Sequence, residues 1–204
     1  MLRLRRRLGA LAQRPRVLKY RALSNCRRVS GSPMVHQPVL CIGEGAIAFG
    51  ANVELGWPRS SSFYTGYCHL EAVKPESRIE IGDDVQINNN AFIKSEGPGI
   101  RIGARALLGS EVTIYDSDFH DLRAEHRRSG QPKMAPVELA EDVFIGDRVT
   151  ILKGVRIGAR SVVGAGSVVS SSIPDGMIAA GVPARVIKPV PGDDAQEENI
   201  QRVD

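Results

Sequence analysis

The sequence predicts an all-β fold, a parallel β-helix, because apolar residues recur with a period of six. From residue 81 onward, with two interruptions, every sixth position carries Ile, Leu or Val. These anchors are Ile81, Ile87, Ile93, Ile102, Leu108, Ile114, Leu139, Ile145, Ile151, Ile157, Val163 and Val169. This period fits neither a helix of about 3.6 residues per turn nor a simple alternating strand. It is typical of short strands joined by sharp turns, with three strands and roughly 18 residues to a coil.

Two other positions of the repeat support this interpretation. The residue after the anchor is often glycine (Gly82, Gly103, Gly109, Gly146, Gly158, Gly164), as a corner with positive φ or a close backbone approach requires. The fourth residue after the anchor is small or β-branched (Val85, Ala91, Ala106, Val112, Val143, Val149, Val155, Ser161, Ser167), which suits a tight interior corner. Stacked coils would then align the anchors about 4.8 Å apart inside a triangular prism.

The spacing also predicts where the coils begin and where the repeat is interrupted. Four clear coils start at Ile81, Ile102, Leu139 and Ile157, and a less regular coil is expected around residues 42–53. Three extra residues interrupt the repeat near 95–99, and 19 extra residues follow Ile114. Insertions in a solenoid form loops on one face, and long loops in a regular array usually have a function.

We therefore expect three regions in the chain. Residues 1–35 form a basic N-terminal arm, residues 36–190 form the β-helix with a protruding loop at 115–138, and residues 191–204 form a polar acidic tail.

Composition limits the class of protein. The 204 residues are 42% apolar and only 5% aromatic, which indicates one domain with an aliphatic core. Three cysteines without metal-ligand spacing favour neither a disulfide framework nor a zinc site. No apolar run approaches the ~18 residues of a membrane-spanning helix. A cytoplasmic protein is expected.

The positive charge belongs to the arm. Residues 1–28 contain ten Lys or Arg and no Asp or Glu, so the remaining 176 residues carry a net charge of −6. A nucleic-acid-binding domain needs its basic patch on the folded surface, so no nucleic-acid partner is expected. An arm that combines arginine with several leucines can lie on an anionic membrane surface, which would make the protein peripheral at the inner face of the membrane. A solvated terminus and an Arg-rich transit peptide are the alternatives.

Over residues 79–188 the sequence resembles the hexapeptide-repeat acyltransferases. The resemblance is strongest in Val143-Phe144-Ile145-Gly146, in residues 163–169 (VGAGSVV) and in residues 180–187 (AGVPARVI). The loop motif Asp116-Ser117-Asp118-Phe119-His120 is similar to that of bacterial polysaccharide acetyltransferases of the colanic-acid and O-antigen type. The resemblance implies a left-handed β-helix, a homotrimer and acyl transfer from acetyl-CoA to a sugar acceptor.

His120 is the candidate general base. Transfer of an acetyl group to a sugar hydroxyl requires that the hydroxyl proton leave as the new bond forms, and imidazole suits that task near neutral pH. The resemblance implies direct attack in a ternary complex. Asp116, Asp118 or Asp121 could orient the imidazole by accepting a hydrogen bond from Nδ1, and we expect one of them to do so. The spacing does not choose among them, and Asp118 is taken as the candidate. The alternatives are an exposed loop histidine and solvated loop acids.

The resemblance also assigns binding residues. Asn88 aligns with an asparagine that reaches the acceptor or the reacting centre, although asparagine also favours left-handed corners. Arg185 and Lys188 resemble a pair that binds CoA phosphates, and exposed surface charges are the alternative. Ala165 and Ser170 match positions along the pantetheine arm, and Ser171 replaces a lysine that relatives often carry. The oxyanion donor is expected to be a main-chain N–H around Asp147.

Four aromatic residues lie close together in the sequence: Trp57, Phe63, Tyr64 and Tyr67. They could form a platform for a sugar ring or close the first coil.

The predicted function is therefore acetyl-CoA-dependent O-acetylation of a cell-surface polysaccharide or its precursor. N-acetylation of an amino sugar and a non-catalytic scaffold are the alternatives. A metalloenzyme of the γ-carbonic-anhydrase type needs three converging histidines. His36, His69, His120 and His126 do not have the matching coil spacing, so no metal site is expected.

Overall fold

A computed structural model describes the backbone of residues 2–192 and the side chains of residues 13–192. Residues 193–204, most of the predicted acidic tail, lie outside the described residues. The helical elements are α1 (Leu2–Leu23) and a 3-10 turn, Ala124–His126. The strands are β1 (Arg28–Ser30), β2 (Met34–Val35), β3 (Val39–Ile42), β4 (Ala46–Phe49), β5 (Glu54–Leu55), β6 (Cys68–Ala72), β7 (Arg78–Ile81), β8 (Gln86–Ile87), β9 (Phe92–Ser95), β10 (Ile100–Ile102), β11 (Leu107–Leu108), β12 (Thr113–Tyr115), β13 (Val137–Leu139), β14 (Phe144–Ile145), β15 (Thr150–Ile151), β16 (Arg156–Ile157), β17 (Val162–Val163), β18 (Val168–Val169), β19 (Met177–Gly181) and β20 (Ala184–Pro189).

These strands form the three faces of a triangular prism. Sheet 1 has the order β1-β4-β7-β10-β13-β16, sheet 2 has β2-β5-β8-β11-β14-β17-β19-β20, and sheet 3 has β3-β6-β9-β12-β15-β18. Successive strands enter successive sheets, so each run of three strands makes one coil. Neighbouring coils pair in parallel, and β19 and β20 pair antiparallel at the end of sheet 2. The predicted fold class, a left-handed parallel β-helix, is confirmed.

The strand registers confirm the predicted ladders of anchors. Ile81 pairs with Ile102, Ile102 pairs with Leu139, and Leu139 pairs with Ile157. All twelve anchors are at most 3% exposed and lie in one core. Complete burial of an aliphatic side chain stabilises a fold by about 1.5–3 kcal/mol. The interior ladders are therefore a main source of stability.

Two coils precede the four clear ones. Strands β1–β3 and β4–β6 form them, and Phe49, Leu55 and Leu70 extend the ladders above Ile81, Ile87 and Ile93. The six-residue period breaks here because residues 56–67 form a loop between β5 and β6. The sequence predicted only one irregular coil in this region.

The corners correct one part of the sequence interpretation. The glycines that follow the anchors do not have positive φ. They are small because the next coil approaches closely: a Cβ on Gly103 would lie 2.5 Å from a backbone atom of Ala140, and one on Gly158 2.3 Å from Asp175. The left-handed conformation occurs three residues after the anchor, at Asp84, Asn90, Arg105, Glu111, Asp142, Arg148, Gly154, Arg160 and Gly166.

The N-terminal edge of sheet 3 is covered by the segment that follows α1. The main-chain N–H groups of Asn25 and Cys26 donate to the carbonyl oxygen of Cys41, and Ser24 Oγ accepts from the Cys41 N–H at 2.9 Å. The open edge of β3 is thereby partly satisfied. Within the part of the chain that the structure describes, no helix combines the length and the apolar character that membrane crossing needs.

Candidate active site

The corner between sheet 2 and sheet 3, here named corner 2–3, brings several predicted residues into one column. The first residue after each sheet-2 strand donates its N–H to the next coil, at 2.8–2.9 Å. After β8, β11, β14 and β17 these residues are Asn88, Gly109, Gly146 and Gly164, in order along the prism. Ala180, inside β19, lies next to Gly164 at the end of this column. Asp147 and Ala165 follow Gly146 and Gly164 directly. The structure therefore aligns three predicted site residues, Asn88, Asp147 and Ala165, along one edge of the prism.

A groove of about 340 Å³ runs beside this corner on the outer face of sheet 2. Trp57 and Asn88 line one end of it, and Asp147 lines the other. Its floor is apolar because Leu107 and Phe144 remain 44% and 49% exposed. An apolar floor with a few polar groups at the edge is typical of a small-molecule site.

The three consecutive asparagines have different roles. Asn88 is half-buried, and its Nδ2 donates to Ser60 Oγ at 2.8 Å. Asn89 is fully buried and holds the 56–67 loop, because its amide bonds both the N–H and the carbonyl of Trp57. Asn90 occupies a left-handed corner, with φ of 61°. Only Asn88 lines the groove.

The side chain of Asp147 joins two neighbouring coils. Oδ1 accepts from the Ser110 N–H at 2.6 Å, and Asp83 and Asp175 make the corresponding bond to other coils. Its own main-chain N–H donates to no group within the described residues. Asp147 lies at corner 2–3, where the oxyanion donor is expected.

The remaining predicted binding residues fall into two places. Arg185 and Lys188 are exposed on β20, and Arg185 pairs in register with Ala180 of corner 2–3. Ser170 and Ser171 are exposed after β18, at the corner between sheets 3 and 1. The single chain thus separates the two serines from the rest of the predicted CoA site.

The aromatic residues of the 56–67 segment have different surroundings, although the sequence predicted either a sugar platform or a cap on the first coil. Trp57 is 47% exposed and lines the groove. Phe63 is buried, and its carbonyl accepts a hydrogen bond from Gln13 of α1. Tyr67 packs on Tyr20 of α1 with ring centroids 4.5 Å apart. Trp57 therefore lines the groove, Phe63 and Tyr67 hold the helix, and Tyr64 is exposed.

Asp116 anchors the base of the protruding loop. Its fully buried carboxylate accepts hydrogen bonds from Ser95 Oγ at 2.6 Å and from the N–H groups of Glu96, Gly97 and Gly99. It thereby joins the loop to the three-residue excursion at 95–99. Its role is structural, because none of these bonds reaches His120.

We expect Asp116→Asn to lower the free energy of unfolding by about 2–4 kcal/mol. The amide nitrogen cannot accept hydrogen bonds, so buried donors lose their partner while the side-chain shape is kept. Guanidinium unfolding measures the change. Asp121→Asn, in the same loop, is the matched control and should cost much less. Equal losses in the two variants would contradict the anchoring role.

The other two loop acids also have partners of their own. The Arg123 guanidinium and main-chain N–H lower the pKa of Asp121 to about 2, so this carboxylate stays charged through the neutral range. Asp118 Oδ1 lies 2.6 Å from Lys153 Nζ on the next coil. Asp118 Oδ2 is buried and has no hydrogen-bond partner within the described residues.

His120 is exposed, and a main-chain carbonyl orients it. Nδ1 lies 3.2 Å from the carbonyl oxygen of Arg127. A carbonyl can only accept, so Nδ1 carries the proton and Nε2 presents its lone pair outward. The expectation that Asp118 or another loop acid accepts from Nδ1 is corrected here, because Nδ1 is bonded to the Arg127 carbonyl and to none of the three acids.

His120 and Asn88 lie at different corners of the prism. The loop that carries His120 leaves sheet 3 after β12 and returns to sheet 1 at β13, whereas Asn88 follows β8 in sheet 2. No hydrogen bond joins the two residues within the described part of the chain. The sequence analysis did not predict this separation. It also did not predict the role of Lys153, because nothing in the sequence links a corner lysine to Asp118, 35 positions earlier.

Among the described residues, no group of three His, Cys, Asp or Glu side chains is arranged to hold a metal ion.

Comparison with known proteins places these features in a family. Residues 136–171 match the family model described as bacterial transferase hexapeptide (six repeats). The chain is 38% identical over 114 residues to galactoside O-acetyltransferase of Escherichia coli K12, of which it spans 55%. It is 32% identical over 173 residues, 80% of its own length, to E. coli WbbJ, whose provisional name assigns it O-acetyl transfer in lipopolysaccharide biosynthesis.

A solved structure agrees with these sequence relatives. The crystal structure of a hexapeptide-repeat acetyltransferase of Vibrio cholerae with acetyl-CoA matches 91% of this chain and 85% of its own, with 25% identity and a TM-score of 0.54. The chain spans little more than half of the galactoside enzyme but 79% of WbbJ. With this coverage and the matching repeats, the chain belongs to the hexapeptide-repeat transferase family.

Proposed function

We propose that this protein is an acetyl-CoA-dependent O-acetyltransferase that acts on a sugar hydroxyl of a cell-surface polysaccharide or its precursor. The observation that carries the proposal is His120, exposed on a protruding loop with Nδ1 held by a carbonyl and Nε2 available to accept a proton. The names of the sugar O-acetyltransferase relatives and the acetyl-CoA complex of the Vibrio protein support the choice of acceptor and donor.

The residues at corner 2–3 fit acetyl-CoA. The apolar floor of the groove suits the pantetheine arm, with Ala165 farther along the corner. The exposed Arg185 and Lys188 can meet phosphates at the end of sheet 2. The Asp147 main-chain N–H has no partner within the described residues, so it can donate to a developing oxyanion.

His120 acts as general base in the proposed reaction. Nε2 takes the proton of the acceptor hydroxyl while the hydroxyl oxygen forms its bond to the thioester carbonyl carbon. The Arg127 carbonyl stabilises the imidazolium through Nδ1. The carbon–sulfur bond then breaks, and the imidazolium returns the proton to the departing thiolate. The products are CoA and the acetyl ester.

The site requires more than one copy of the chain. His120 and corner 2–3 lie at different corners of one prism, so they can act on the same substrate only across a contact between copies. Sheet 1 is charged on its outer face, with Arg78, Glu80, Arg101, Glu138 and Arg156. The outer faces of sheets 2 and 3 carry Leu107, Phe144, Phe92 and Tyr115. Two different faces that carry apolar side chains suit a closed ring, and we propose a homotrimer.

The test measures CoA release from acetyl-CoA with a panel of sugar acceptors. The panel includes matched pairs that differ only in carrying a hydroxyl or an amino group. We expect release with hydroxyl acceptors. Faster turnover of the amino member of each pair would identify N-acetylation instead. Absence of turnover with every acceptor, in a protein that remains folded, would favour the scaffold.

Lys153 is a positioning residue for His120 in this proposal, because its ion pair with Asp118 fixes the loop to the next coil. We expect Lys153→Gln to lower kcat about tenfold and to leave the KM for acetyl-CoA nearly unchanged, since small displacements of a catalytic group slow the chemistry. Lys153→Arg should restore most of the rate. Lys133→Gln, which removes an exposed lysine of the same loop, is the control. A parallel rise in KM, or equal effects in the control, would argue against positioning.

A further inference from the structure

In its described part, residues 13–23, helix α1 contacts the prism through one stripe of side chains. Gln13 is buried and donates to the carbonyl of Phe63, Arg16 Nη2 donates to the carbonyl of Gly66 at 2.7 Å, and Tyr20 packs on Tyr67. Val17, between them, is half-buried. These positions are three or four residues apart, so they form one stripe along the helix. This stripe fixes the helix across the N-terminal end of the prism.

A second stripe of α1, here named the outer stripe, is exposed and alternates basic and apolar side chains. Arg14 and Arg21 are exposed, Leu18 between them is 64% exposed, and no ion pair involves either arginine within the described residues. The same alternation continues by sequence spacing toward the N-terminus, because leucine and arginine each recur every seven residues. The positions are Leu4, Leu11 and Leu18, with Arg7, Arg14 and Arg21. Seven residues are close to two helical turns, so these positions share one side of α1.

The end of the prism beside α1 presents apolar surface. A groove of about 630 Å³ opens there between the helix and the first coil. Val29, Val35, Phe49 and Leu55 line it, together with Arg21. Val29 is 42% exposed, and Met34, in the same first coil, is 47% exposed. Basic and apolar side chains are therefore found together at this end.

The distribution of charge along the chain indicates which kind of partner this surface binds. Ten bases and no acid precede residue 29, whereas the rest of the chain is net acidic. A second copy docking through the same stripe would bring like charges together. A nucleic acid would leave the exposed leucine and the apolar groove without apolar contact. An anionic bilayer supplies negative headgroups for the arginines and hydrocarbon for the leucine.

We propose that the outer stripe of α1 and the groove beside it dock this protein onto an anionic membrane surface. The helix lies in the plane of the interface, with Arg14 and Arg21 among the headgroups and Leu18 directed toward the acyl chains. The inference does not depend on acetyl transfer, because it uses no residue of the candidate active site.

The test is co-sedimentation of the full chain with phosphatidylcholine vesicles, with and without phosphatidylglycerol. We expect binding only to the anionic vesicles, and weaker binding as salt is raised. Each base near an anionic surface strengthens binding about fivefold, so R14Q/R21Q should bind ~25-fold more weakly. Leu18→Ser should also weaken binding. R78Q/R101Q, which removes two exposed bases from sheet 1, is the matched control and should bind like the wild type.

Several outcomes would overturn the proposal. Equal losses in R14Q/R21Q and R78Q/R101Q would assign the binding to overall charge. Equal binding to neutral and anionic vesicles would show that the arginines do not contribute to binding. Tighter binding to double-stranded DNA than to the anionic vesicles would identify a nucleic acid as the partner. Circular dichroism of each variant separates a loss of binding from a loss of fold.

Discussion

Replacement of His120 by alanine should lower kcat for acetyl transfer by about 10²–10⁴-fold, the usual contribution of a positioned general base. The side chain is exposed and its one bond is to the Arg127 carbonyl, so its loss should leave the fold intact. The KM for acetyl-CoA should change little, because the predicted donor site lies at corner 2–3. The measurement is steady-state CoA release with the best acceptor of the panel.

His126 provides the matched control for this experiment. It is an exposed histidine in the 3-10 turn of the same loop. His126→Ala should retain nearly full activity, and added imidazole should restore part of the activity of His120→Ala alone. If both variants turned over like the wild type, the assignment of the base would be wrong.

Mixed trimers should recover activity from two inactive chains. Ala165→Trp fills corner 2–3 from an exposed position, and His120→Ala removes the base. Where an Ala165→Trp chain supplies His120 to the corner of a His120→Ala neighbour, the site is intact. Random mixing of equal amounts makes about a quarter of the sites intact. Activity should rise from near zero to about a quarter of the wild-type value, measured after co-expression with two different tags.

The control for this mixture pairs His120→Ala with the double variant His120→Ala/Ala165→Trp, in which no intact site can form. If the imidazole served the corner of its own chain, the first mixture would be no more active than its components. Equal activity in the two mixtures would therefore reject the site between copies.

The fold was predictable because its signal is periodic and one-dimensional. Each anchor pairs with the anchors of adjacent coils, so the six-residue period in the sequence directly predicts the stacking of Ile81, Ile102 and Leu139. The first two coils were hard to predict because the 56–67 loop shifts Leu70 out of phase with Leu55. The positive-φ corners were misplaced because glycine there signals close approach rather than backbone conformation.

The site was only partly predictable because it depends on contacts between distant segments. The composition of the loop indicated His120, but three nearby acids gave no way to choose its partner. In the structure the carbonyl of Arg127 is the partner of His120, and Asp118 forms an ion pair with Lys153. A main-chain acceptor has no side-chain signature, and an ion pair across 35 residues depends on coil register.

The left-handed corners have a consequence for how small a piece of this chain can fold. Arg105, Glu111, Arg148 and Arg160 adopt positive φ without the local preference of asparagine or glycine, at roughly 1 kcal/mol each. A solitary turn of the solenoid has no stacked neighbour to compensate for this strain. The minimal folding unit should therefore contain several turns, and gain or loss of length in such chains should proceed by whole turns.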